Sequence, residues 1–278
     1  MSVTVLYCEG GRQSIDIRVI RQLLPKCEIR PLGGKSLIPS SIIADRRRNQ
    51  NLACLVDRDF DCRDRDKSDA PVELIYEQQW AGWSWSRKEI ENYLIDPVVV
   101  KKALGKNAPD PDEYQNALDK AAENIAAYSA ARTALSCERL INFWGEKVRK
   151  GHDFPRRLGK DSCLVKIGEI VRENKGDRII TEEDVTNKFN ALLPKFRPGG
   201  ERFADYLSYF AGKDLLFAMK KDLQTLGFEP PPDSDKSLEE FFLEKIVSQI
   251  EKRDQVWQWL PEWTTLRQLI ENTNFSDG

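Results

Sequence analysis

The stretch that most constrains the fold of this chain is a short apolar run, residues 52–56, that ends abruptly in carboxylates. Its composition is typical of a strand buried in the middle of a sheet. Asp57, Asp59 and Asp61 follow it at a spacing of two residues. Like charges at one strand end repel each other, so a fold that keeps them either binds a cation there or exposes them to solvent.

The single histidine of the chain, His152, limits the chemistry that is open to it. Ser-His-Asp hydrolysis, Cys-His proteolysis and histidine-based zinc sites all need histidine in a supporting constellation. His152 lies in a polar stretch that is typical of a surface loop. Carboxylates therefore remain as the ligands for metal chemistry, and they favour hard ions such as Mg²⁺ or Mn²⁺.

Charge and cysteine usage indicate the cellular context. A net charge of −2 argues against a protein that coats nucleic acid by bulk charge, but it allows an enzyme that holds one phosphodiester locally. The six cysteines include no CxxC pair, which is typical of a reducing compartment. Because the sequence shows neither a long apolar run nor a leader peptide, we expect a cytoplasmic protein without a membrane partner.

Strand and helix patterns alternate in the N-terminal region. Strand patterns at residues 3–8, 27–32 and 52–56 are separated by helical patterns at 15–24 and 37–47. This alternation predicts an α/β fold with a Rossmann-like, mostly parallel sheet flanked by helices. In sheets of this kind the ligand binds at the carboxyl ends of the strands.

The character of the sequence changes after Pro97. Residues 98–278 contain long, charged, amphipathic helical patterns with Gly/Pro breaks at 195–200 and 229–235. We therefore predict two domains, an α/β domain at 1–97 and a mainly helical domain at 98–278. The helical domain would shape a substrate cleft, bind a partner or form an oligomer.

Glu9, at the end of the first strand pattern, is the expected companion of the acidic strand end. Because the carboxyl ends of parallel strands meet at one edge of a sheet, Glu9 should lie near Asp57 and Asp59. A divalent ion that acts on phosphodiesters needs several oxygen ligands, which these residues would supply. The alternative is that these carboxylates only cap helices and cover a loop.

Four short motifs, in this order, resemble the Toprim domain that topoisomerases, primases and OLD-family nucleases share. The resemblance is nearest to the small Toprim/OLD-like effectors of bacterial anti-phage defence, such as those of PARIS-type systems, and it covers the N-terminal α/β domain. The motifs are Tyr7-Cys8-Glu9-Gly10, Leu32-Gly33-Gly34, Leu55-Val56-Asp57-Arg58-Asp59 and Glu89-Ile90-Glu91-Asn92-Tyr93-Leu94.

The resemblance implies roles for individual residues. Glu9 would be a general acid/base or a metal ligand, and Asp57 and Asp59 would be the metal-binding Asp-x-Asp pair. Glu91 would be a further ligand of Mg²⁺ or Mn²⁺. Lys213 resembles a late lysine that OLD-type nucleases use near the scissile phosphate, where a cation offsets developing charge.

Asp16, Asp61 and Lys35 are further candidates for this site. Asp16 follows Glu9 by seven residues instead of the family's four, and a first-turn helix residue favoured by the helix dipole is the alternative. Asp61 would face the site only if the strand continued to it. Lys35 directly follows the glycine pair and could contact a phosphate.

Glu89 and Glu91 are not equivalent candidates. On one helix their side chains would point about 200° apart, so only one could face the site if the helix had begun. The resemblance favours Glu91, with Arg87 as a phosphate contact. The alternative is a helix N-terminus that is merely rich in carboxylates.

The resemblance implies a metal-dependent endonuclease of the Toprim type that hydrolyses phosphodiester bonds in DNA or RNA during anti-phage defence. Because a free nuclease would harm its host, we expect control by a partner ATPase, and a homodimer is left open. One alternative is a non-catalytic Toprim-like module that regulates or binds. The other is a haloacid-dehalogenase-type phosphohydrolase, although that pattern carries Thr or Val where this chain has Asp61.

Overall fold

A computed structural model describes the chain over residues 2–33, 37–60, 68–140, 144, 158–176 and 179–273. The predictions made for Lys35, Asp61 and His152 lie outside these residues. The chain divides into two compact units, which are treated separately below. The first comprises residues 1–58, 67–108 and 240–278, and the second comprises 59–66 and 109–239.

A mostly parallel sheet forms the centre of the first unit. Its strand order is β2-β1-β3-β5-β4, and only β4 runs antiparallel, next to β5. Glu77 and Gln78, both with positive φ, make the two-residue turn that joins this pair. The predicted α/β sheet is confirmed. Its described strands are β1 (Val5–Cys8), β2 (Glu28–Pro31), β3 (Leu52–Val56), β4 (Val72–Tyr76) and β5 (Gln79–Ser84).

The strands β1 and β3 lie side by side inside the sheet, and every residue of both is buried. Cys8 pairs with Leu55, so the two strands end at the same level. Gly82 of β5 approaches β3 so closely that a Cβ there would lie 2.2 Å from the carbonyl oxygen of Cys54. The apolar run that precedes Asp57 is therefore a central strand.

Helices pack around this sheet, in chain order α1 (Ile15–Leu23), α2 (Ile38–Asp45), α3 (Glu91–Leu94) and α4 (Pro97–Leu104). Ser14 caps α1 as the sequence predicts, because its hydroxyl accepts a hydrogen bond from the N–H of Ile17. Ile38 and Ile42 of α2 pack with Val5, Tyr7 and Cys54 in one apolar cluster. The cluster covers one face of the sheet near its centre.

The second unit is helical. Its longest helix, α5 (Pro111–Cys137), packs against α6 (Lys160–Asn174), α7 (Glu182–Phe196) and α9 (Gly212–Ala218). Residues 202–226 do not form one helix, because Phe210 and Ala211 take extended backbone between α8 (Tyr206–Tyr209) and α9. The helix α10 (Lys220–Thr225) follows. The next helices along the chain are α11 (Leu238–Ile250) and α12 (Pro261–Asn272), and from residue 240 onward they belong to the first unit.

The C-terminal residues 240–278 group with the α/β unit, which differs from the predicted boundary at residue 97. The main-chain N–H of Val3 donates to the carbonyl oxygen of Ile270 at 3.0 Å. Arg18 of α1 forms ion pairs with Glu244 and Glu251 at 2.8 and 2.7 Å. Amphipathic periodicity shows that a helix is half-buried, but it does not show which core the helix covers.

Across the part of the chain that the structure describes, no helix combines the length and the apolar character needed to cross a membrane.

Candidate metal centre

The carboxyl ends of β1 and β3 bring Glu9 and Asp57 together. The main-chain N–H of Asp57 donates a hydrogen bond to Oε1 of Glu9 at 3.0 Å. This contact follows from the pairing of Cys8 with Leu55, which puts the residues after both strands at one edge of the sheet. The strand order predicted this proximity, whereas the metal-binding role of the two residues stays a prediction.

Four other carboxylates act on Asp57 through their negative charges. Burial and then these charges raise the pKa of Asp57 well above its usual range. The five residues come from four segments of the first unit and are called the carboxylate cluster here. Its members are Asp57, Asp16, Glu9, Glu89 and Glu91.

Gly10 lets the chain turn directly from Glu9 into α1. Its φ is +96°, and a Cβ at this position would lie 2.5 Å from Oγ of Ser14 and 3.8 Å from Oδ2 of Asp16. A side chain there would therefore be strained and would push on the helix cap. The tight turn brings the first turn of α1 close to the strand ends, so Asp16 joins the cluster in spite of its unusual spacing from Glu9.

Glu89 and Glu91 are both buried, with exposed fractions of 8% and 6%. The helix α3 begins at Glu91, so Glu89 lies before the helix. The angle of about 200° between side chains two residues apart on a helix therefore does not apply to this pair. The side-chain oxygen of Asn92 accepts a hydrogen bond from the N–H of Glu89 at 3.2 Å. The charges of both glutamates act on Asp57, so the expectation that only one could face the site does not apply.

Two buried cations lie in the same unit and were not singled out from the sequence. Arg58 is 7% exposed, and its guanidinium donates a hydrogen bond to the carbonyl oxygen of Ser86. Lys88 is 3% exposed and directly precedes Glu89. The sequence signal that could have identified Arg58 and Lys88 is their position directly beside acidic residues, because a buried carboxylate needs compensating charge nearby.

Arg87, the predicted phosphate contact, has a packing role in the structure. Its guanidinium donates hydrogen bonds to the carbonyl oxygen of Asn92 at 2.9 Å and to Oδ2 of Asp96 at 2.7 Å. It also lies 4.8 Å from the ring centroid of Tyr93. These contacts stabilise the segment around Glu89 and Glu91, and a phosphate contact of Arg87 stays a prediction.

Asp59 and Lys213 both belong to the second unit and are both exposed. Asp59 has a positive φ of 54°, so the chain turns sharply there. The residue that follows Lys213 is the buried Asp214, which forms an ion pair with Arg132. The roles implied for Asp59 and Lys213 stay predictions.

The donor atoms of the carboxylate cluster suit Mg²⁺ or Mn²⁺, because hard cations prefer carboxylate oxygens. Within the ranges that the structure describes, no three His, Cys, Asp or Glu side chains are close enough together to hold a metal ion as they stand. Comparison with known proteins finds no matching family model and no matching curated protein. The functional argument therefore depends on the site itself.

Proposed function

We propose that this protein is a metal-dependent nuclease of the Toprim type that hydrolyses phosphodiester bonds in DNA or RNA. The observation that supports the proposal is the placement of Glu9 and Asp57 at the ends of the two central parallel strands, where the N–H of Asp57 donates to Oε1 of Glu9 at 3.0 Å. Burial and the charges of Asp16, Glu9, Glu89 and Glu91 raise the pKa of Asp57 well above its usual range, so the ionised form of Asp57 is unfavourable in the absence of a cation. A divalent ion would offset this repulsion, and it is the usual cofactor of phosphodiester hydrolysis.

Glu9, Asp57 and Glu91 are the residues that would hold Mg²⁺ or Mn²⁺, with Asp16 and Glu89 in support. Asp59, which belongs to the second unit, stays a prediction that rests on the Asp-x-Asp motif. The cofactor would supply Lewis-acid stabilisation of the charge that develops on the phosphate during hydrolysis. All of these ligands offer oxygen atoms, as this class of ion requires.

The residues of the chain itself would orient and balance the site. The N–H of Asp57 holds one oxygen of Glu9 in place at the strand end. Arg58 and Lys88, both buried in the first unit, would offset part of the negative charge. Gly10 carries no side chain beside Glu9, so main chain can approach a phosphate there.

The biological setting is part of the same proposal. The motif resemblance supports an effector of anti-phage defence that acts in the cytoplasm under the control of a partner ATPase. The absence of a bulk positive charge, with a net charge of −2, is compatible with an enzyme that depends on a partner to engage its nucleic acid. The two alternatives to this proposal are a non-catalytic module and a phosphohydrolase.

The test is cleavage of plasmid DNA, single-stranded DNA and tRNA by the purified protein, with Mg²⁺ or Mn²⁺ and with EDTA. Wild-type protein should cut at least one substrate in the presence of metal, alone or with a partner ATPase. Glu9→Gln and Asp57→Asn should abolish cleavage. Glu73→Gln, which alters an exposed carboxylate on β4, is the matched control and should cleave normally.

Two results would contradict the proposal. Wild-type protein that cuts none of the substrates, even with metal and a partner ATPase, would favour the non-catalytic module. Turnover of a phosphomonoester with phosphate retained covalently on Asp57 would favour the phosphohydrolase. Full activity of Asp59→Ala would remove Asp59 from the ligand set and leave the rest of the proposal intact.

A further inference from the structure

A buried carboxylate from the last helix, Glu262 of α12, is hydrogen-bonded to both ends of the segment 86–93. Glu262 is 5% exposed. Its Oε1 accepts a hydrogen bond from the main-chain N–H of Ser86 at 2.7 Å. Its Oε2 accepts hydrogen bonds from the hydroxyl of Ser86 and from that of Tyr93, the latter at 2.6 Å. This set of three hydrogen bonds is called the Glu262 clamp here.

The segment inside the Glu262 clamp carries the two acidic residues that complete the carboxylate cluster, Glu89 and Glu91. The Glu262 side chain holds both ends of this segment. The conformation of residues 86–93 therefore depends on a residue about 170 positions further along the chain. A carboxylate with three donors is held much more rigidly than an exposed one, because each bond involves a charged acceptor.

Ser86, at the first end of the clamp, also connects to the segment that follows β3. Its carbonyl oxygen accepts a hydrogen bond from the guanidinium of Arg58, the residue after Asp57. The N–H of the preceding Trp85 donates to the carbonyl oxygen of Val56 at 3.0 Å. The clamp therefore ties α12 to the strand end that presents Asp57.

Tyr93, at the other end, is fully buried and its ring is fixed from two sides. The ring centroids of Trp85 and Trp263 lie 4.9 and 6.1 Å away. The Tyr93 hydroxyl accepts a hydrogen bond from the N–H of Arg87 at 3.2 Å while it donates to Glu262. Its side chain thus bridges α12 and the backbone just before Glu89.

We propose that Glu262 is a positioning residue of the metal site, through which the last helix holds Glu89 and Glu91 in place relative to Asp57. This inference rests on the proposed metal-dependent function. Residues that support metal ligands from outside the coordination sphere commonly change metal affinity about 10- to 100-fold when they are replaced. The C-terminal helix would then be a required part of the site, although no ligand lies on it.

The test is a titration of the full-length protein with Mn²⁺, in which free Mn²⁺ is followed by electron paramagnetic resonance. Glu262→Gln replaces one acceptor oxygen by an NH2 group, so the side chain can no longer accept from all three donors, and Tyr93→Phe removes the Tyr93 hydrogen bond from the other side. Both variants should bind Mn²⁺ about 10-fold more weakly than wild type. Glu271→Gln, on the same helix and ion-paired with Arg267, should bind as wild type does.

A second measurement separates positioning from general loss of structure. Hydrogen–deuterium exchange should become faster in residues 86–93 of Glu262→Gln and Tyr93→Phe, while the amides of β1 and α1 keep their protection. Weaker Mn²⁺ binding with unchanged protection in 86–93, or with faster exchange throughout the unit, would overturn the inference.

The outcomes also distinguish this inference from the proposed function. Wild-type protein that binds no Mn²⁺ would overturn both. Wild-type protein that binds Mn²⁺, with Glu262→Gln and Tyr93→Phe binding equally tightly, would overturn the Glu262 inference and leave the metal site standing. If Glu262→Gln fails to fold, Tyr93→Phe alone decides, because it removes a single oxygen atom from the clamp.

Discussion

Asp57 donates its main-chain N–H to the side-chain carboxylate of Glu9 at 3.0 Å, which joins the ends of the two central parallel strands. The bond fixes the Glu9 carboxylate beside the main chain of Asp57, and the charge of Glu9 acts on the Asp57 carboxyl. Two acidic side chains are therefore held together at the edge where parallel sheets bind ligands. The predictions below follow from the charge that accumulates at this point.

Divalent metal should stabilise the folded protein. A ligand that binds only the native state and is present at 100 times its dissociation constant raises the free energy of unfolding by about 2.7 kcal/mol. Urea unfolding with Mn²⁺ and with EDTA measures this difference. Glu9→Gln should show a smaller difference and Glu73→Gln the full one. Equal stability of wild type in Mn²⁺ and in EDTA would contradict the prediction.

Asp57→Asn should stabilise the metal-free protein in alkaline buffer. Burial and the neighbouring carboxylates raise the pKa of Asp57 well above its usual range, so its ionised form is unfavourable in the fold. Asparagine removes that charge, and one pKa unit corresponds to about 1.4 kcal/mol, so the free energy of unfolding should rise on the order of 1 kcal/mol. Urea unfolding in EDTA is the measurement, and a variant less stable than wild type would argue against the cluster.

The central part of the fold could be predicted from the sequence because its signals are local. The apolar run before Asp57, the Ser14 cap and the alternating patterns all depend on neighbours in the chain, and the structure confirms the α/β sheet that they predict. The grouping of residues 240–278 with the sheet depends on long-range contacts such as that of Val3 with Ile270. No periodicity within α12 encodes that partner.

The candidate site was predictable to a similar extent. Glu9 and Asp57 follow central strands, so strand order alone places them together. The participation of Glu89 depends on where α3 begins, and the importance of Glu262 depends on a hydrogen bond to a residue 169 positions away. A lone glutamate in an amphipathic helix gives no sequence signal for such a contact.

The buried ion pair of Arg132 with Asp214 should contribute more to the stability of the second unit than an exposed ion pair does. Asp214 is 1% exposed, and the Arg132 guanidinium also lies 4.0 Å from the ring centroid of Phe60. Removal of one partner from a buried pair leaves an uncompensated charge and costs about 3 to 5 kcal/mol. Arg132→Ala should therefore lower the free energy of unfolding by about 3 kcal/mol.

The matched control for that prediction is Lys120, which forms an exposed ion pair with Asp222 at 2.7 Å. Exposed pairs contribute about 1 kcal/mol or less, so Lys120→Ala should change stability little. Urea unfolding of both variants gives the comparison. Equal losses in the free energy of unfolding for Arg132→Ala and Lys120→Ala would show that the buried Asp214 carboxylate does not need Arg132 to compensate its charge.

Glu262→Gln should reduce the dependence of stability on pH. Burial raises the pKa of Glu262 above 4.5, although hydrogen bonds from Ser86 and Tyr93 and the charge of Arg87 oppose the shift. The native state therefore binds the proton more tightly than the unfolded state. For this reason the contribution of Glu262 to stability is full below the unfolded-state pKa and is lost as the pH rises through the native pKa.

Urea unfolding as a function of pH measures this effect, with Glu251→Gln as a control of opposite sign. Arg18 lowers the pKa of Glu251, so its contribution is present above the unfolded-state pKa and is lost as the pH falls through the native pKa. Above about pH 4.3, wild type minus Glu262→Gln should fall as the pH rises. Below about pH 4.3, wild type minus Glu251→Gln should fall as the pH is lowered. Parallel curves for the two variants would contradict the assignment of the buried charge to Glu262.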